Sequence, residues 1–575
     1  MGGQTLVVGV MGLGSLGEGI VRALLGSGPD VQVVGVDHDP GVVHRVRNRL
    51  ESRDLSLGTE LTGLKKADLV IESVSEDLGV KENVLRRLRS ACSPGTVLAT
   101  VSGTLPVAQL AIASGCPERV LGMRFFLPPP YGRSVELVRT SMTSPDAVGL
   151  AQRVADRAGS DVVSVGGGPG EAATELVYGY LNHAVAMVEQ NCATVEDMDT
   201  AARVGCGLPY GPLELLDLIG LDTVRDTLRT LHCRTGNRSL FPALLLDRMV
   251  EKGRLGRKSG RGFHLYTDDG RVVPDEDPRR ETGPLRGVDR IGVVGSGTMA
   301  RGIAEVVARA GLEVTLVARD RDRASAAFAA VDASLAAAEG RGRISEGERI
   351  GVLGRVEATD DCAALSACDL VIEAVAEELR VKRAVMGRID GVAKPGATLA
   401  TITSSLSVAE IASATSRPSQ VIGLHFLHPV PATGLVEVVR TGATSDGVRD
   451  TARALVRRLG RSAVECTDRA GFIVNALLFP YLNDAIRMLV RTDVTVEEID
   501  RAVTTAFGHP TGPFALLDAI GLDVSLAILR RLNEAAPDAG PVPAAPLEQL
   551  VAAGYLGRKT GSGFRIAESR AAATA

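Results

Sequence analysis

Short β-branched runs alternate with Ala-rich helical stretches over roughly the first 150 residues, and the same alternation returns after residue 288. Buried apolar runs separated by helical patterns are typical of a parallel sheet covered by helices on both faces. The pattern therefore predicts two doubly wound α/β domains. The strands predicted for the first domain lie near Leu6–Val10, Val31–Val36, Leu69–Ile71, Val97–Thr100 and Val120–Met123.

The pattern changes once within each half of the chain. From about Glu171, and again from about Phe472, it becomes helical, with Pro and Gly marking the turns. A separate all-α domain is therefore expected after each α/β domain. The predicted fold class is α/β plus all-α.

The chain repeats itself at a fixed offset of 301 residues, which carries Ala67–Val74 onto Cys368–Val375 and Leu255–Phe263 onto Leu556–Phe564. A unit of this length is too long for a solenoid repeat and indicates two tandem multi-domain copies. In copy one the α/β domain is predicted over 1–168 and the helical domain over 169–266. A linker that contains Pro and Gly follows over 267–287. In copy two the α/β domain is predicted over 288–469 and the helical domain over 470–568, and a frayed tail is predicted over 569–575.

Composition narrows the class of protein. The 575 residues are 45% hydrophobic and 23% charged, with a net charge of −5, which suits several globular domains and argues against a nucleic-acid partner. The eight cysteines form no C-x-x-C pair, so neither a metal site nor a disulfide framework is expected. This cysteine usage predicts that the protein lies in a reducing cytoplasm. No apolar stretch is long enough to span a membrane, and no signal peptide is evident.

Each copy opens with a strand, a glycine loop and a helix. In such a loop the first Gly makes the tight turn, the second lets a pyrophosphate approach the backbone, and the third position lets the helix pack on the strand. Each copy is therefore expected to contain a Rossmann-type dinucleotide site, although in copy one the loop could persist only because the fold needs it. The loop residues are Gly12, Gly14 and Gly17 in copy one and Gly295, Gly297 and Ala300 in copy two.

The residue that ends the second strand selects the dinucleotide. Copy one has Asp37 there, which can accept both ribose hydroxyls of NAD. Copy two has Ala318 followed by Arg319, which would tolerate and could bind the 2′-phosphate of NADP. NAD is the alternative cofactor for copy two, if Asp320 binds the ribose and Arg319 is only a solvated surface side chain. NADP is slightly preferred.

The arrangement resembles the 3-hydroxyacyl-CoA dehydrogenase family, which includes the 3-hydroxybutyryl-CoA dehydrogenases, in tandem and over nearly the whole chain, with motifs that are most complete in copy two. The resemblance rests on Thr403–Ser407, Gly423–Pro431, Leu435–Val439 and Gly471–Asn475. It implies a Rossmann domain that holds the dinucleotide, a helical domain that dimerises, and an active site between them. Two residues depart from the family pattern: His428 stands at a usual Asn, and Ile402 replaces an Asn near the nicotinamide and substrate.

The resemblance also implies roles for particular residues. His425 would be the base for the hydroxyl proton, because a neutral imidazole titrates near working pH. Glu437 would orient it, and Ser404 and Asn475 would donate to the substrate oxygen. The acidic and basic positions beside cofactor and substrate are matched by Glu377 and Lys382.

Copy one departs at the same positions. Gly103 stands at the position of Ser404, Arg124 at that of His425 and Thr174 at that of Asn475. Of the four catalytic positions, only that of Glu437 keeps its residue type, as Glu136. Arginine keeps its proton at neutral pH and cannot be the base. Copy one also lacks 20 residues that in copy two contain a predicted helical hairpin around 337–346, which the family uses over acyl-CoA.

The sequence therefore predicts an NAD(P)-dependent 3-hydroxyacyl-CoA dehydrogenase with one active site, in copy two, and copy one as its partner in an intramolecular pseudo-dimer. A higher homo-oligomer stays open. The carrier is coenzyme A or, alternatively, an acyl carrier protein in a pathway-specific dehydrogenase. A catalytically idle dinucleotide-binding scaffold is the remaining alternative.

Overall fold

A computed structural model describes residues 5–26, 30–129, 131–132, 134–165, 168–274, 287–537 and 540–565. Residues 275–286 of the predicted linker and the predicted tail over 569–575 lie outside this part of the chain. No helix of the described residues is long and apolar enough to cross a membrane.

Each copy contains one eight-stranded sheet among its described residues. The strand orders are β3-β2-β1-β4-β5-β6-β7-β8 and β11-β10-β9-β12-β13-β14-β15-β16. The strands of copy one are β1 (Leu6–Met11), β2 (Val31–Val36), β3 (Leu55–Gly58), β4 (Leu69–Glu72), β5 (Val97–Thr100), β6 (Val120–Phe125), β7 (Ser134–Val138) and β8 (Asp161–Val165). Those of copy two are β9 (Arg290–Val294), β10 (Glu313–Val317), β11 (Val356–Thr359), β12 (Leu370–Glu373), β13 (Thr398–Thr401), β14 (Val421–Phe426), β15 (Leu435–Arg440) and β16 (Ser462–Thr467).

The doubly wound sheet and its five predicted strands are confirmed. The strand order reverses between β1 and β4, and likewise between β9 and β12, and it is outside the carboxyl ends of strands at such a point that dinucleotides bind. The sheet is not wholly parallel, because β7 and β15 run antiparallel to β6 and β14. This pairing places His425 directly opposite Glu437, and Arg124 directly opposite Glu136.

Helices cover the sheets and form the second domain of each copy. Those of copy one are α1 (Ser15–Leu25), α2 (Pro40–Arg49), α3 (Leu78–Ala91), α4 (Val107–Ser114), α5 (Pro145–Arg157), α6 (Pro169–Glu189), α7 (Val195–Thr200), α8 (Pro212–Ile219), α9 (Leu221–Thr235) and α10 (Leu244–Glu251). Those of copy two are α11 (Thr298–Arg309), α12 (Arg321–Gly340), α13 (Glu346–Leu353), α14 (Leu379–Val392), α15 (Val408–Ala412), α16 (Asp446–Arg458), α17 (Val474–Arg491), α18 (Val496–Phe507), α19 (Pro513–Ile520), α20 (Leu522–Ala535) and α21 (Ala545–Ala552).

The hairpin predicted for copy two is the pair α12 and α13. Ser345 caps α13, with Glu348 bonding back to the Ser345 backbone in a capping box, so the turn is locally encoded. In copy one the single short helix α2 occupies this part of the chain.

The two copies pack on each other through their helical domains, with α6 lying against α17 and α18. Tyr180 and Tyr481, which are equivalent positions of the two copies, meet edge to face with their ring centroids 5.7 Å apart. The His183 Nε2 atom lies 3.0 Å from the carbonyl oxygen of Ala476, and Arg491 pairs with Glu175. Contacts between equivalent positions are those expected near a twofold axis, here within one chain.

A half-buried carboxyl at this interface makes the stability pH-dependent. Asp484 lies in a cavity of about 230 Å³ between the copies, next to Arg487, Glu175 and Arg491. Burial raises the pKa of Asp484 to about 6, against the opposing effect of Arg487. Its contribution to stability is therefore full below the ordinary pKa of 3.8 and is lost as the pH rises through about 6.

We expect Asp484→Asn to raise the Tm by about 2 °C at about pH 8, where the wild-type carboxylate is charged in a poor environment, and to leave it equal or lower at about pH 4. Thermal unfolding of both proteins at the two pH values measures this. An equal decrease at both pH values would contradict the account.

Candidate active site

A cavity of about 1060 Å³ lies in copy two between the α/β domain and the helical domain. It extends from the glycine loop to the start of α17. The residues predicted for cofactor and chemistry that line it are Gly295, Gly297, Arg319, Glu377, Lys382, Ser404, His425 and Asn475.

The glycine loop of copy two fits a pyrophosphate. Gly295 has a φ of +141°, and a Cβ there would lie 2.3 Å from the carbonyl oxygen of Ala374, so a side chain is excluded. A Cβ on Gly297 would meet nothing within 4 Å, which leaves open space at the position where the backbone should meet a phosphate. Ala300 is fully buried where α11 packs on the sheet.

Copy one builds the same loop. Gly12 has a φ of +92°, and a Cβ on Gly14 would meet nothing within 4 Å. A Cβ on Gly17 would lie 1.9 Å from the Gly12 carbonyl oxygen, so no side chain fits there. The buried Asp37 carboxylate accepts hydrogen bonds from the backbone N–H groups of Leu13, at 2.8 Å, and Asp39, at 3.0 Å. Asp37 therefore holds this loop as well as lying at the predicted ribose position.

The second strand of copy two ends differently. Ala318 is buried, Arg319 is exposed, and both line the cavity. The Asp320 carboxylate caps α12 by accepting the Arg323 backbone N–H at 2.8 Å, and it also pairs with the Arg323 side chain. The Asp320 carboxylate is thus already engaged at the start of a helix, whereas Arg319 faces the cavity.

His425 and Glu437 form a buried pair at the centre of the site. His425 Nδ1 is hydrogen-bonded to Glu437 Oε2. Glu437 Oε1 accepts the backbone N–H groups of Ile473, at 2.8 Å, and Val474, at 2.9 Å. A carboxylate on Nδ1 favours the tautomer that keeps its proton there, which leaves the lone pair of Nε2 for a ligand.

One residue beside this pair was missed by the sequence reasoning. Phe472 has a φ of +51°, a conformation that a bulky side chain rarely adopts, and its ring centroid lies 5.4 Å from that of His425. Backbone strain of this kind persists where the surrounding structure demands it. Phe472 lies within the segment Gly471–Asn475 that carries the family resemblance, and the preceding Gly471 marks a sharp turn into α17, but neither signal showed its contact with His425.

Ser404 is hydrogen-bonded to Glu377, and Asn475 lies next to Ser404. Glu377 Oε1 accepts the Ser404 backbone N–H at 2.8 Å, the Ser404 hydroxyl at 3.2 Å and the Thr403 hydroxyl at 2.7 Å. Burial raises the pKa of Glu377, but Lys382 and these hydrogen bonds outweigh it, and the pKa lies below its ordinary value. Asn475 Nδ2 lies 3.5 Å from the Ser404 carbonyl oxygen.

Lys382 is fully buried and held by carboxylates. Its Nζ lies 3.0 Å from Glu373 Oε1 and 3.4 Å from Glu377 Oε2. Copy one repeats this arrangement, with Lys81 Nζ 2.8 Å from Glu72 Oε1. Because both copies keep the buried pair, the geometry favours a supporting role for Lys382 in the wall of the cavity.

The two departures from the family pattern both line the cavity of copy two. Ile402 is 8% exposed, and His428 is exposed at the other side. Both positions can therefore alter the shape of the substrate site.

Copy one has its own cavity of about 870 Å³ with a different centre. Arg124 pairs with Glu136 where copy two has the His–Glu pair, and its Nε donates to the Ser102 carbonyl oxygen at 3.2 Å. Thr174 turns its hydroxyl back to its own helix, donating to the Gly170 carbonyl oxygen at 2.8 Å.

We expect Glu437→Gln to lower the turnover of the predicted reaction about 100-fold or more, because an amide disfavours the required tautomer and no longer offsets imidazolium charge. Steady-state kinetics measure it. Glu136→Gln is the matched control, since Glu136 pairs with Arg124 and bonds the Gly170 N–H in the same way. Loss of turnover in both variants at equal stability would contradict the assignment.

Comparison with known proteins agrees with this architecture. The family model for the NAD binding domain of 3-hydroxyacyl-CoA dehydrogenase matches residues 53–167 and 290–469, and that for its C-terminal domain matches 172–266 and 471–566. A 3-hydroxybutyryl-CoA dehydrogenase of Mycobacterium tuberculosis is 43% identical over 281 residues, covering 48% of this chain and 98% of that protein. The mitochondrial hydroxyacyl-coenzyme A dehydrogenase of Homo sapiens is 38% identical over 286 residues, covering 48% of this chain and 90% of that protein.

One solved structure resembles the whole tandem chain. The 3-hydroxybutyryl-CoA dehydrogenase of Escherichia coli K12 covers 96% of this chain and 99% of its own, with a TM-score of 0.55 and 21% identity, a likeness of fold. Because both family models match twice and together cover most of the sequence, the chain belongs to the 3-hydroxyacyl-CoA dehydrogenase family, as a tandem duplication of its two domains.

Proposed function

We propose that the chain interconverts 3-hydroxyacyl and 3-oxoacyl thioesters of coenzyme A with NAD(P), at a single active site in copy two. The observation that carries the proposal is the His425–Glu437 pair. His425 lines the same cavity as the glycine loop, Ser404 and Asn475, and Glu437 is buried behind it. Base, oxygen donors and dinucleotide site are the groups that oxidation of a secondary alcohol needs.

Each catalytic residue of copy two has a separate role in the proposed reaction. His425 Nε2 accepts the proton of the substrate hydroxyl, and Glu437 holds Nδ1–H and balances the charge that develops on the ring. Ser404 and Asn475 donate to the substrate oxygen. Glu377 positions Ser404 by accepting its backbone N–H, and Lys382 holds Glu377. The Ser404 hydroxyl turns from Glu377 to the substrate oxygen, because its one proton serves one acceptor at a time. The bound dinucleotide supplies the hydride acceptor, or the donor in the reverse direction.

NADP is the preferred dinucleotide in this proposal. Ala318 removes the acidic ribose partner, Arg319 faces the cavity, and Asp320 is engaged in capping α12. A guanidinium beside the ribose favours a 2′-phosphate. For copy one, the intact loop and Asp37 support two roles, NAD binding or loop support alone, and the number of dinucleotides bound per chain separates them.

Copy one acts in this proposal as a fused partner. It contributes α6 to the packing against α17 and α18 and has Arg124 where the base should be. The pseudo-dimer thus replaces the second subunit that a single-copy member of the family would recruit. Copy one therefore supports the fold of the enzyme and does not catalyse a second reaction.

An acyl-carrier-protein substrate is the second candidate, because a pantetheine arm would enter the same cavity. It is favoured by Ile402 and His428, whose side chains line the cavity at positions where the family pattern differs. Comparing the turnover of an acetoacetyl group on coenzyme A and on a carrier protein separates the two carriers. An idle scaffold, the third alternative, would consume no NAD(P)H with either.

The decisive test follows absorbance with acetoacetyl-CoA and either NADPH or NADH. We expect turnover with a higher kcat/KM for NADPH, a decrease of about 1000-fold in His425→Gln, and turnover close to wild type in Arg124→Gln. Arg124→Gln leaves Glu136 buried without its cation, so each variant's Tm is measured alongside. Equal losses in both variants would overturn the assignment of copy two, and a preference for NADH would overturn that for NADP.

A further inference from the structure

The wall of the copy-two cavity is completed by copy one. Gly205 and Cys206, at the end of a π-helical turn over Ala201–Gly205, line the same cavity as His425 and Asn475. Both residues precede the linker and belong to the copy that lacks the catalytic histidine. The fused copy therefore touches the space where the reaction is proposed to occur.

The turn approaches as closely as a backbone can. A Cβ on Gly205 would lie 2.8 Å from Leu435 Cδ2 and 3.1 Å from Val474 Cγ2, both in copy two. Any larger residue would have to displace the Leu435 and Val474 side chains, so the glycine lets the copy-one backbone pack tightly onto β15 and the first turn of α17. The position of the next residue, Cys206, is thereby fixed relative to the His425–Glu437 pair.

Cys206 presents a small, neutral side chain to the cavity. Burial raises the pKa of its thiol to about 12, and the charge of Glu437 acts in the same direction. The thiol is therefore protonated at neutral pH and behaves as a compact apolar group. A Cβ on the neighbouring Gly205 would lie 3.3 Å from Leu427 Cδ1, and Leu427, Leu478 and Phe479 line the same cavity as Cys206 and His425.

The equivalent place on the other side of the pseudo-dimer is filled. The offset of 301 residues makes Phe507 the counterpart of Cys206, and Phe126 the counterpart of Leu427. These two rings meet edge to face with centroids 5.8 Å apart, and Phe507 is 1% exposed. Beside the copy-one cavity, the pair of positions is thus filled by two aromatic rings, Phe126 of copy one and Phe507 of copy two. Beside the copy-two cavity, the equivalent pair is the smaller Leu427 of copy two and Cys206 of copy one.

We propose that Cys206 of copy one is a specificity-determining residue for copy two, where it forms the end of the acyl pocket and sets the longest acyl chain accepted. The inference rests on the proposed function. Since one methylene in an apolar pocket is worth about 10- to 200-fold in kcat/KM, a change of volume at this wall is measurable.

The test compares acetoacetyl-CoA with 3-oxodecanoyl-CoA in the full-length chain. Cys206→Phe introduces the residue found at the equivalent position 507. We expect it to lower kcat/KM for 3-oxodecanoyl-CoA at least about tenfold and kcat/KM for acetoacetyl-CoA by less than about threefold. Cys206→Ala should shift the ratio of the two values toward the longer chain. Cys233→Phe is the matched control on an exposed face of α9 and should leave the ratio unchanged.

The outcomes separate the inference from the proposed function. If Cys206→Phe lowers the Tm strongly, Cys206→Leu gives the same comparison with a smaller side chain. An unchanged ratio in the Phe or Leu variant and in Cys206→Ala, with an active wild type that depends on His425, would overturn the role of Cys206 and leave the function standing. A wild type that turns over neither thioester would overturn both.

Discussion

The packing of α6 against α17 and α18 is the constraint on which the rest of the structure depends. Each helical domain has apolar faces that its own α/β domain does not cover, and the two helical domains bury these faces in one continuous core. Tyr180 against Tyr481 lies within it. Since a duplicated unit carries a second such face on the same chain, the interface forms without a concentration requirement.

The Glu437 carboxylate links this packing to the chemistry. One of its oxygens holds His425 on the neighbouring strand, and the other holds the backbone that begins α17. The same α17 packs against α6 of copy one. A carboxylate that spans a strand and an interface helix makes the orientation of the histidine depend on how the domains are placed. Glu136 retains this link in copy one, where the residue it holds is an arginine.

Much of this architecture could be predicted from the sequence, because a repeated βα pattern and a 301-residue offset are long-range signals. The antiparallel strands β7 and β15 were not predicted, since the direction of a strand depends on where its partners lie. Lys382 lines the cavity and its predicted place beside cofactor and substrate stays a prediction, but its buried ion pairs with Glu373 and Glu377 could not be anticipated, because they depend on how the sheet and α14 pack. The position of Cys206 could not be anticipated, because it lies in the other copy, 219 residues before His425.

The central claim is that copy two reacts and copy one supports it, and deletion of residues 1–283 tests this most directly. A homodimer of the remaining copy would place Phe507 where Cys206 now lies, and a monomer would expose the apolar faces of α17 and α18. Sedimentation and turnover of the truncated protein with acetoacetyl-CoA are the measurement. The account predicts an insoluble or poorly active protein, and a monomer with the full activity of the intact chain would contradict it.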